Sequence, residues 1–285
     1  MIRIGIFFSK NSDKEVFSLV NSFKEFSVLY PLNIRETEGI PVLENKRAIT
    51  LCDAVYLAGN KWNSEEFRMI LREEAHLYCE TIPLLSLEEA KKNYELELEA
   101  GCVVQFFHPY IFLPCNINKY KKLQSPFFIN GQLKFDIADN LEQQILYFLL
   151  FVLSIDNSLL SRSEVFSLES GKTFSVLNIS LYFLSGSVVR LNLSPLVSVS
   201  SDISVYQRNN SRLSFSLFDN RKDKIRNSKR SSFEYFLKSI DGKPSLNISF
   251  TQIYQATRIL YDIKEKLRFH GSSLLETDFK KEKLK

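Results

Sequence analysis

Glycine is scarce in this chain, at nine of 285 residues. Tight turns that hold a phosphate against backbone N–H groups usually need glycine, so the scarcity argues against an intact phosphate-binding loop. Only three histidines are present, and the four cysteines have no closely spaced pair, so we predict reduced thiols and no metal centre. The most apolar run, residues 145–153, is too short to cross a bilayer.

Composition and charge are those of an ordinary globular protein. Hydrophobic residues are 45% of the chain and charged residues 25%, and 285 residues are enough for two domains. The net charge of +4 is a weak bias, concentrated only in residues 221–230, which we predict to be a solvated loop rather than a nucleic-acid patch. No signal peptide is visible, because a strand begins at Ile2, so we expect a cytoplasmic protein.

The first 110 residues alternate between strands and helices. The strands are apolar runs without polar alternation, which is typical of a parallel sheet with helices on both faces. We therefore predict a Rossmann-like domain of dinucleotide-binding type at residues 1–115. The predicted strands are residues 2–8, 27–30, 54–58, 76–79 and 102–107, and the predicted helices are residues 12–26, 64–73 and 86–100.

The second half has a different pattern. A helix at residues 140–153 precedes four runs of alternating polarity, which predict a mostly antiparallel, meandering sheet. A second helix at residues 249–267 closes this domain, which we place at residues 116–285. The charged stretch after Phe218 is the predicted mobile loop. The alternating runs are residues 174–183, 187–193, 197–206 and 213–218.

Four stretches in this order resemble one enzyme family. They are residues 2–6 (IRIGI), 52–58 (CDAVYLA), 76–90 (HLYCETIPLLSLEEA) and 236–264. Together they resemble the Gfo/Idh/MocA oxidoreductases, which include glucose–fructose oxidoreductase and inositol dehydrogenase. The resemblance implies a Rossmann-like domain followed by a sheet domain, with an NAD(P) cofactor in active members.

The departures from that family begin at its cofactor loop. Phe8, Lys10 and Asp13 stand at the positions of the family's G-x-G-x-x-G glycines. A phenylalanine side chain obstructs the approach of phosphate to the backbone, and Asp13 adds like charge. We therefore expect no cofactor and an ordinary strand-to-helix turn. If a dinucleotide is retained, the resemblance implies that it contacts Phe8, Ser9, Lys10, Asn11, Ser12, Asn60 and Glu80.

The resemblance also locates the family's proton-transfer residues, and this chain has replaced them. The lysine of the family's E-K-P motif is Thr81, and the D-x-x-x-H motif corresponds to Asn140 and Gln144. Neither a threonine nor an amide shuttles protons near neutral pH. No carboxylate follows the second strand for the ribose hydroxyls. Asn33 could hydrogen-bond there and Arg35 could meet a 2′-phosphate, but a plain loop is the preferred interpretation. We therefore assign no catalytic residue.

Three hypotheses remain open. The first is a non-catalytic relative of these enzymes that serves as a binding or regulatory scaffold, with a possible protein partner. The second is a divergent NAD(P)-dependent oxidoreductase acting on a sugar-like or polyol substrate, which would need a replacement acid/base such as His108, although a packing histidine is the preferred interpretation. The third is a small-molecule sensor that uses a cleft between the domains. In each case we expect a homo-oligomer formed through the C-terminal sheet, no metal, and neither a membrane nor a nucleic-acid partner.

Overall fold

Contacts divide the chain into two compact units. The computed structural model describes residues 2–8, 16, 19–20, 22–23, 26–32, 49–59, 62–120, 123, 125–134, 141–170, 173–194, 202–209, 211–216, 222–243 and 246–270. Unit 1 consists of Met1–Leu113 and Lys222–Tyr254, and unit 2 consists of Pro114–Arg221 and Gln255–Lys285. The first division falls after Leu113, two residues before the boundary expected after residue 115. The prediction differs in assigning everything beyond it to one domain, because residues 222–254 pack with unit 1.

Unit 1 contains a parallel sheet whose described strands follow the order β2-β1-β3-β4-β5. Every residue of β3 is buried, which explains why its sequence has no polar alternation. The Rossmann-like prediction is confirmed, although β5 is shorter than the predicted residues 102–107. The strands are β1 (Ile2–Phe8), β2 (Phe26–Leu32), β3 (Ala54–Ala58), β4 (His76–Cys79) and β5 (Val104–Phe106).

Two helices of unit 1 begin at reciprocal capping boxes. Helix α1 (Ser64–Arg72) is capped by Asn63 with Glu66, and helix α2 (Leu87–Ala100) is capped by Ser86 with Glu89. In each box the cap side chain accepts a backbone N–H of the first turn, and the glutamate accepts the N–H of the cap residue. Both predicted helices are confirmed to within a residue. The helix predicted at residues 12–26 falls mostly outside the described residues.

Unit 2 contains a mixed sheet with the described order β11-β10-β6-β9-β8-β7. The meander predicted from the sequence is corrected in one respect, because β6 pairs with β9 in parallel while the other neighbours are antiparallel. Strands β6 and β7 were not predicted. The strands are β6 (Phe127–Lys134), β7 (Leu160–Ser170), β8 (Thr173–Phe183), β9 (Val188–Ser194), β10 (Asp202–Gln207) and β11 (Arg212–Ser216).

Unit 2 also holds helix α3 (Pro114–Tyr120) and the largely buried helix α4 (Leu141–Ile155). Helix α4 packs against the centre of the sheet at Gly131, where a Cβ atom would lie 2.6 Å from Phe148 Cε2. Gly131 therefore makes room for an aromatic ring. The Asn-Gly pair inside β6 has the sequence of a turn, which explains why this strand escaped prediction.

Helix α5 (Lys222–Ile240) replaces the loop that the sequence led us to predict. Asp223, Arg226 and Arg230 are exposed, while Phe233, Phe236 and Leu237 are buried in unit 1. The stretch is therefore an amphipathic helix whose polar face carries the charge run. Helix α6 (Phe250–Phe269) follows and confirms the predicted C-terminal helix. No helix among the described residues is both long and apolar enough to cross a membrane.

Candidate functional site

Polar groups converge where β3 and β4 end, at the carboxyl edge of the unit 1 sheet. Glu80 follows β4 and Gly59 follows β3, and the two strands are paired in register. The Tyr56 hydroxyl donates to Glu80 Oε1 at 2.6 Å, and the Gly59 N–H donates to Glu80 Oε2 at 3.0 Å. Ligands of open parallel sheets bind at this edge. It is therefore the candidate site of unit 1.

Helix α5 supplies the third donor to the same carboxylate. Lys229 Nζ lies 2.9 Å from Glu80 Oε1, and the two side chains are 29% and 11% exposed. The charge-assisted contact and the two hydrogen bonds together satisfy both carboxylate oxygens. We name Tyr56, Gly59, Glu80 and Lys229 the Glu80 cluster. Lys229 was not predicted as a site residue, because it lies in a charge run that conceals its helical spacing to Phe233 and Phe236.

Buried aromatic rings pack around Tyr56 of the Glu80 cluster. The Tyr56 and Tyr78 rings lie 4.8 Å apart, and the Phe233 ring packs on both, at 5.4 and 5.1 Å. Burial raises the pKa of both tyrosines well above the usual value, and the Glu80 charge adds to the effect at Tyr56. Both hydroxyls therefore stay protonated near neutral pH. They can donate hydrogen bonds but do not act as bases.

Thr81, which the resemblance places at the position of the family's lysine, is part of a local hydrogen-bonded turn. Thr81 Oγ1 donates to the Gly59 carbonyl at 3.4 Å, and the Cys79 thiol donates to the Thr81 carbonyl at 3.2 Å. Burial raises the pKa of the Cys79 thiol to about 12. Neither side chain therefore offers a base or a nucleophile at neutral pH.

Only two residues of the predicted cofactor set, Phe8 and Glu80, are among the described residues. Glu80 lies in the candidate site, and Phe8 ends β1 with its backbone paired to Ala58 of β3. The other residues of the predicted cofactor set lie outside the described residues, as do several other residues named in the comparison with the family. These are Ser9, Lys10, Asn11, Ser12 and Asn60 of the cofactor set, together with Asp13, Asn33, Arg35 and Asn140.

His108 has the geometry of a packing histidine. It is fully buried, and its Nδ1 atom accepts the backbone N–H groups of Tyr110 and Ile111, each at 3.3 Å. Such contacts hold the loop after β5 in place. They do not present the imidazole to a substrate, so His108 is a poor replacement acid/base.

In unit 2, the segment aligned with the family's D-x-x-x-H motif contributes one partner of a buried ion pair. Gln144 lies in the first turns of α4, and Glu142, two residues before it, is paired with Lys264 of α6. The two charged side chains are only 8% and 17% exposed. This pair joins two helices of unit 2. It was not found in the sequence, because the partners are distant along the chain.

At the place where the resemblance implies the nicotinamide end of a dinucleotide, the described groups are bound to one another. Thr81 replaces the family's lysine, and the Lys229 ammonium is already bound to the Glu80 carboxylate. The Gly59 N–H, a backbone donor beside this edge, is also engaged by Glu80. The described residues likewise contain no group of three or more histidine, cysteine or acidic residues that could hold a metal ion.

Solved structures of several dehydrogenases and oxidoreductases have the same two-domain fold as this chain. The structure resembles the UDP-N-acetylglucosamine 3-dehydrogenase GnnA from Acidithiobacillus ferrooxidans, with a TM-score of 0.67, 12% identity, and coverage of 93% of this chain and 97% of that chain. A dehydrogenase from Chromobacterium violaceum matches with a TM-score of 0.71, 10% identity, and coverage of 95% and 97%.

An oxidoreductase from Thermotoga maritima also matches, with a TM-score of 0.66, 16% identity, and coverage of 92% and 95%. No protein-family profile and no curated protein matches the sequence. At these identities the likeness establishes the fold. The two-domain architecture that the resemblance to Gfo/Idh/MocA oxidoreductases implied is thereby confirmed.

Proposed function

We propose that this chain is a non-catalytic protein with a dehydrogenase fold, which serves as a binding or regulatory scaffold. The observation that carries the proposal is the Glu80 cluster. Its three donors and its carboxylate satisfy one another, so the carboxyl end of β4 is occupied by the protein's own groups. A working dehydrogenase needs groups at this end that meet cofactor and substrate.

The chemistry of the neighbouring side chains supports the same proposal. Hydride transfer from or to a hydroxyl carbon requires a group that takes or gives the hydroxyl proton. Thr81 and Gln144 stand at the family's two proton-transfer positions, and neither titrates near neutral pH. The buried tyrosines stay protonated, and His108 is held in a loop.

Titration with NADH and NADPH tests the proposal. The single tryptophan, Trp62, lies in unit 1 just beyond β3, so its fluorescence reports on this edge. We expect neither a fluorescence change nor a rise in melting temperature up to millimolar cofactor, with free tryptophan as the control for light absorption by the cofactor. A bound cofactor would raise the melting temperature, because a ligand that binds the folded state stabilises it. Binding at micromolar cofactor would therefore contradict a scaffold without cofactor.

A second candidate function is a divergent NAD(P)-dependent oxidoreductase with a sugar-like or polyol substrate. It is favoured by the likeness over 93% of this chain to a dehydrogenase of a nucleotide sugar. It is also favoured by the position of Lys229, whose ammonium lies beside the residue that precedes Thr81. In this case Lys229 would supply the cation that the family takes from its E-K-P lysine.

Turnover assays separate the two candidates. Under the second, NAD(P)-dependent oxidation of nucleotide sugars or inositols would be measurable, and Lys229→Met would abolish it. Lys238→Met is the matched control, because Lys238 lies on the same helix in an exposed pair with Glu234. Absence of turnover with the wild type, across both cofactors, supports the scaffold.

A further inference from the structure

Three hydrogen-bond donors converge on one point at the carboxyl edge of the unit 1 sheet. They are the Tyr56 hydroxyl, the Gly59 N–H and the Lys229 ammonium, at 2.6, 3.0 and 2.9 Å from the oxygens of Glu80. They come from β3, from the turn after β3, and from α5, so none of them lies on the segment that carries Glu80. A cation, a backbone N–H and a hydroxyl are the groups with which proteins bind carboxylates.

Each of the three donors has a property that suits it to binding a carboxylate. The Tyr56 hydroxyl stays protonated because the pKa of this buried group is raised, so it remains a donor at any ordinary pH. The residue at position 59 is a glycine with a φ angle of 92°, a conformation that side chains disfavour and that directs its N–H towards the carboxylate. Lys229 is 29% exposed, so the cation can be reached from solvent.

We propose that Tyr56, Gly59 and Lys229 form a binding site for the carboxylate group of a ligand, and that the side chain of Glu80 fills this site in the present structure. Glu80 acts as a tethered internal ligand. A carboxylate-bearing ligand that makes further contacts nearby would displace it. The site uses the same cluster as the proposed function, but its test is separate, because anion binding requires neither a dinucleotide nor turnover.

Chemical rescue of Glu80→Ala tests the site with formate as the probe. The substitution removes the internal carboxylate and leaves the three donors without it, so we expect a lower melting temperature. Sodium formate should then raise the melting temperature in a saturable way by several degrees above sodium chloride of equal ionic strength. Wild type should show no formate-specific rise, because Glu80 already fills the site.

Two further variants identify the donors. In Glu80→Ala/Lys229→Met the formate affinity should fall roughly tenfold or more, because a charge-assisted hydrogen bond is lost. Glu80→Ala/Tyr56→Phe should show a smaller loss. Inorganic phosphate should rescue less well than formate, since the donors meet the two oxygens of a planar carboxylate. Glu234→Ala is the control, because it removes an exposed carboxylate from a lysine pair on α5.

The proposal is overturned if formate and chloride act alike on Glu80→Ala, or if formate rescue is unchanged without Lys229. If Glu80→Ala is recovered only as unfolded protein, refolding yield in formate against chloride provides the same contrast. A failure here would leave the dinucleotide titration and the turnover assays unaffected, because those measure cofactor binding and hydride transfer.

Discussion

At the scale of single residues, Glu97 shows how burial alters the chemistry of a side chain. Glu97 lies on α2, and its Oε2 atom accepts the backbone N–H of Thr251 in the first turn of α6 at 3.2 Å. Burial raises the pKa of this carboxyl from 4.5 to about 8, and the donors of Ser249, Phe250 and Thr251 only partly offset the effect. The folded protein therefore holds a proton here that the unfolded chain releases.

The unfolding free energy should consequently depend on pH. Between pH 4.5 and 8 the folded state binds more protons than the unfolded state, so stability should fall as the pH rises, by on the order of a few kcal/mol. Urea denaturation across this range measures the slope. Glu97→Gln should remove most of it, while Glu99→Gln, an exposed neighbour on the same helix, should keep it. An unchanged slope in Glu97→Gln would contradict this assignment.

At the scale of secondary-structure elements, the capping box of α1 offers a direct test. Asn63 Oδ1 accepts the N–H groups of Glu65 and Glu66 at 3.0 and 3.1 Å, and Glu66 Oε2 accepts the Asn63 N–H at 2.7 Å. Asn63→Ala should lower the unfolding free energy by about 1 kcal/mol, because first-turn N–H groups lose an acceptor. Asn63→Asp should retain most of the stability. Chemical denaturation of both variants checks this, and equal losses would refute the capping role.

Elements with local signals could be predicted from the sequence, and elements defined by distant contacts could not. Helix α2 was predicted because Ser86 is typical of an N-cap and Glu89 of an acidic first turn. Strand β3 was predicted because it is a continuous apolar run. Strand β6 was missed because its Asn-Gly pair has the sequence of a turn. Helix α5 was missed because its first half is a run of charged residues. Its apolar residues, Phe233, Phe236 and Leu237, are buried only through contacts with distant parts of unit 1.

The candidate site follows the same rule. Glu80 was identified because it directly follows a buried strand within a family-like motif. Lys229 lies 149 residues further along the chain, and no local pattern connects it to Glu80. The same holds for the Glu142–Lys264 pair. Residues within a local motif could therefore be predicted from the sequence, and pairs formed between distant segments could not.

At the scale of the whole molecule, the Glu80 cluster joins two segments of unit 1 that are far apart in the sequence, and this separation affects when the cluster forms during folding. Unit 1 is built from two segments, residues 1–113 and 222–254, and the cluster joins one to the other. The intervening residues belong to unit 2. A contact of such sequence separation has a high loop-closure cost, so we expect it to form late in folding.

The outer face of the unit 2 sheet is where we expect two copies of the chain to meet. Opposite the side that packs on α4, this face presents Phe166 and Leu168, which are 59% and 53% exposed. Beside them Arg162 lies over the Tyr182 ring at 4.5 Å and Arg190 over the Phe128 ring at 5.6 Å. Arginine and aromatic residues are enriched in protein interfaces, and exposed apolar patches mark such surfaces.

Light scattering coupled to size-exclusion chromatography measures the assembly. We expect wild type to elute as a dimer or larger assembly, and Phe166→Glu to shift it towards the monomer, because each interface would bury two unpaired carboxylates. Leu184→Glu is the matched control, since Leu184 is 67% exposed in the turn after β8 and does not lie on the sheet face. A wild type that stays monomeric at high concentration would refute the interface. Dissociation by both variants alike would show that added charge, rather than this face, controls the assembly.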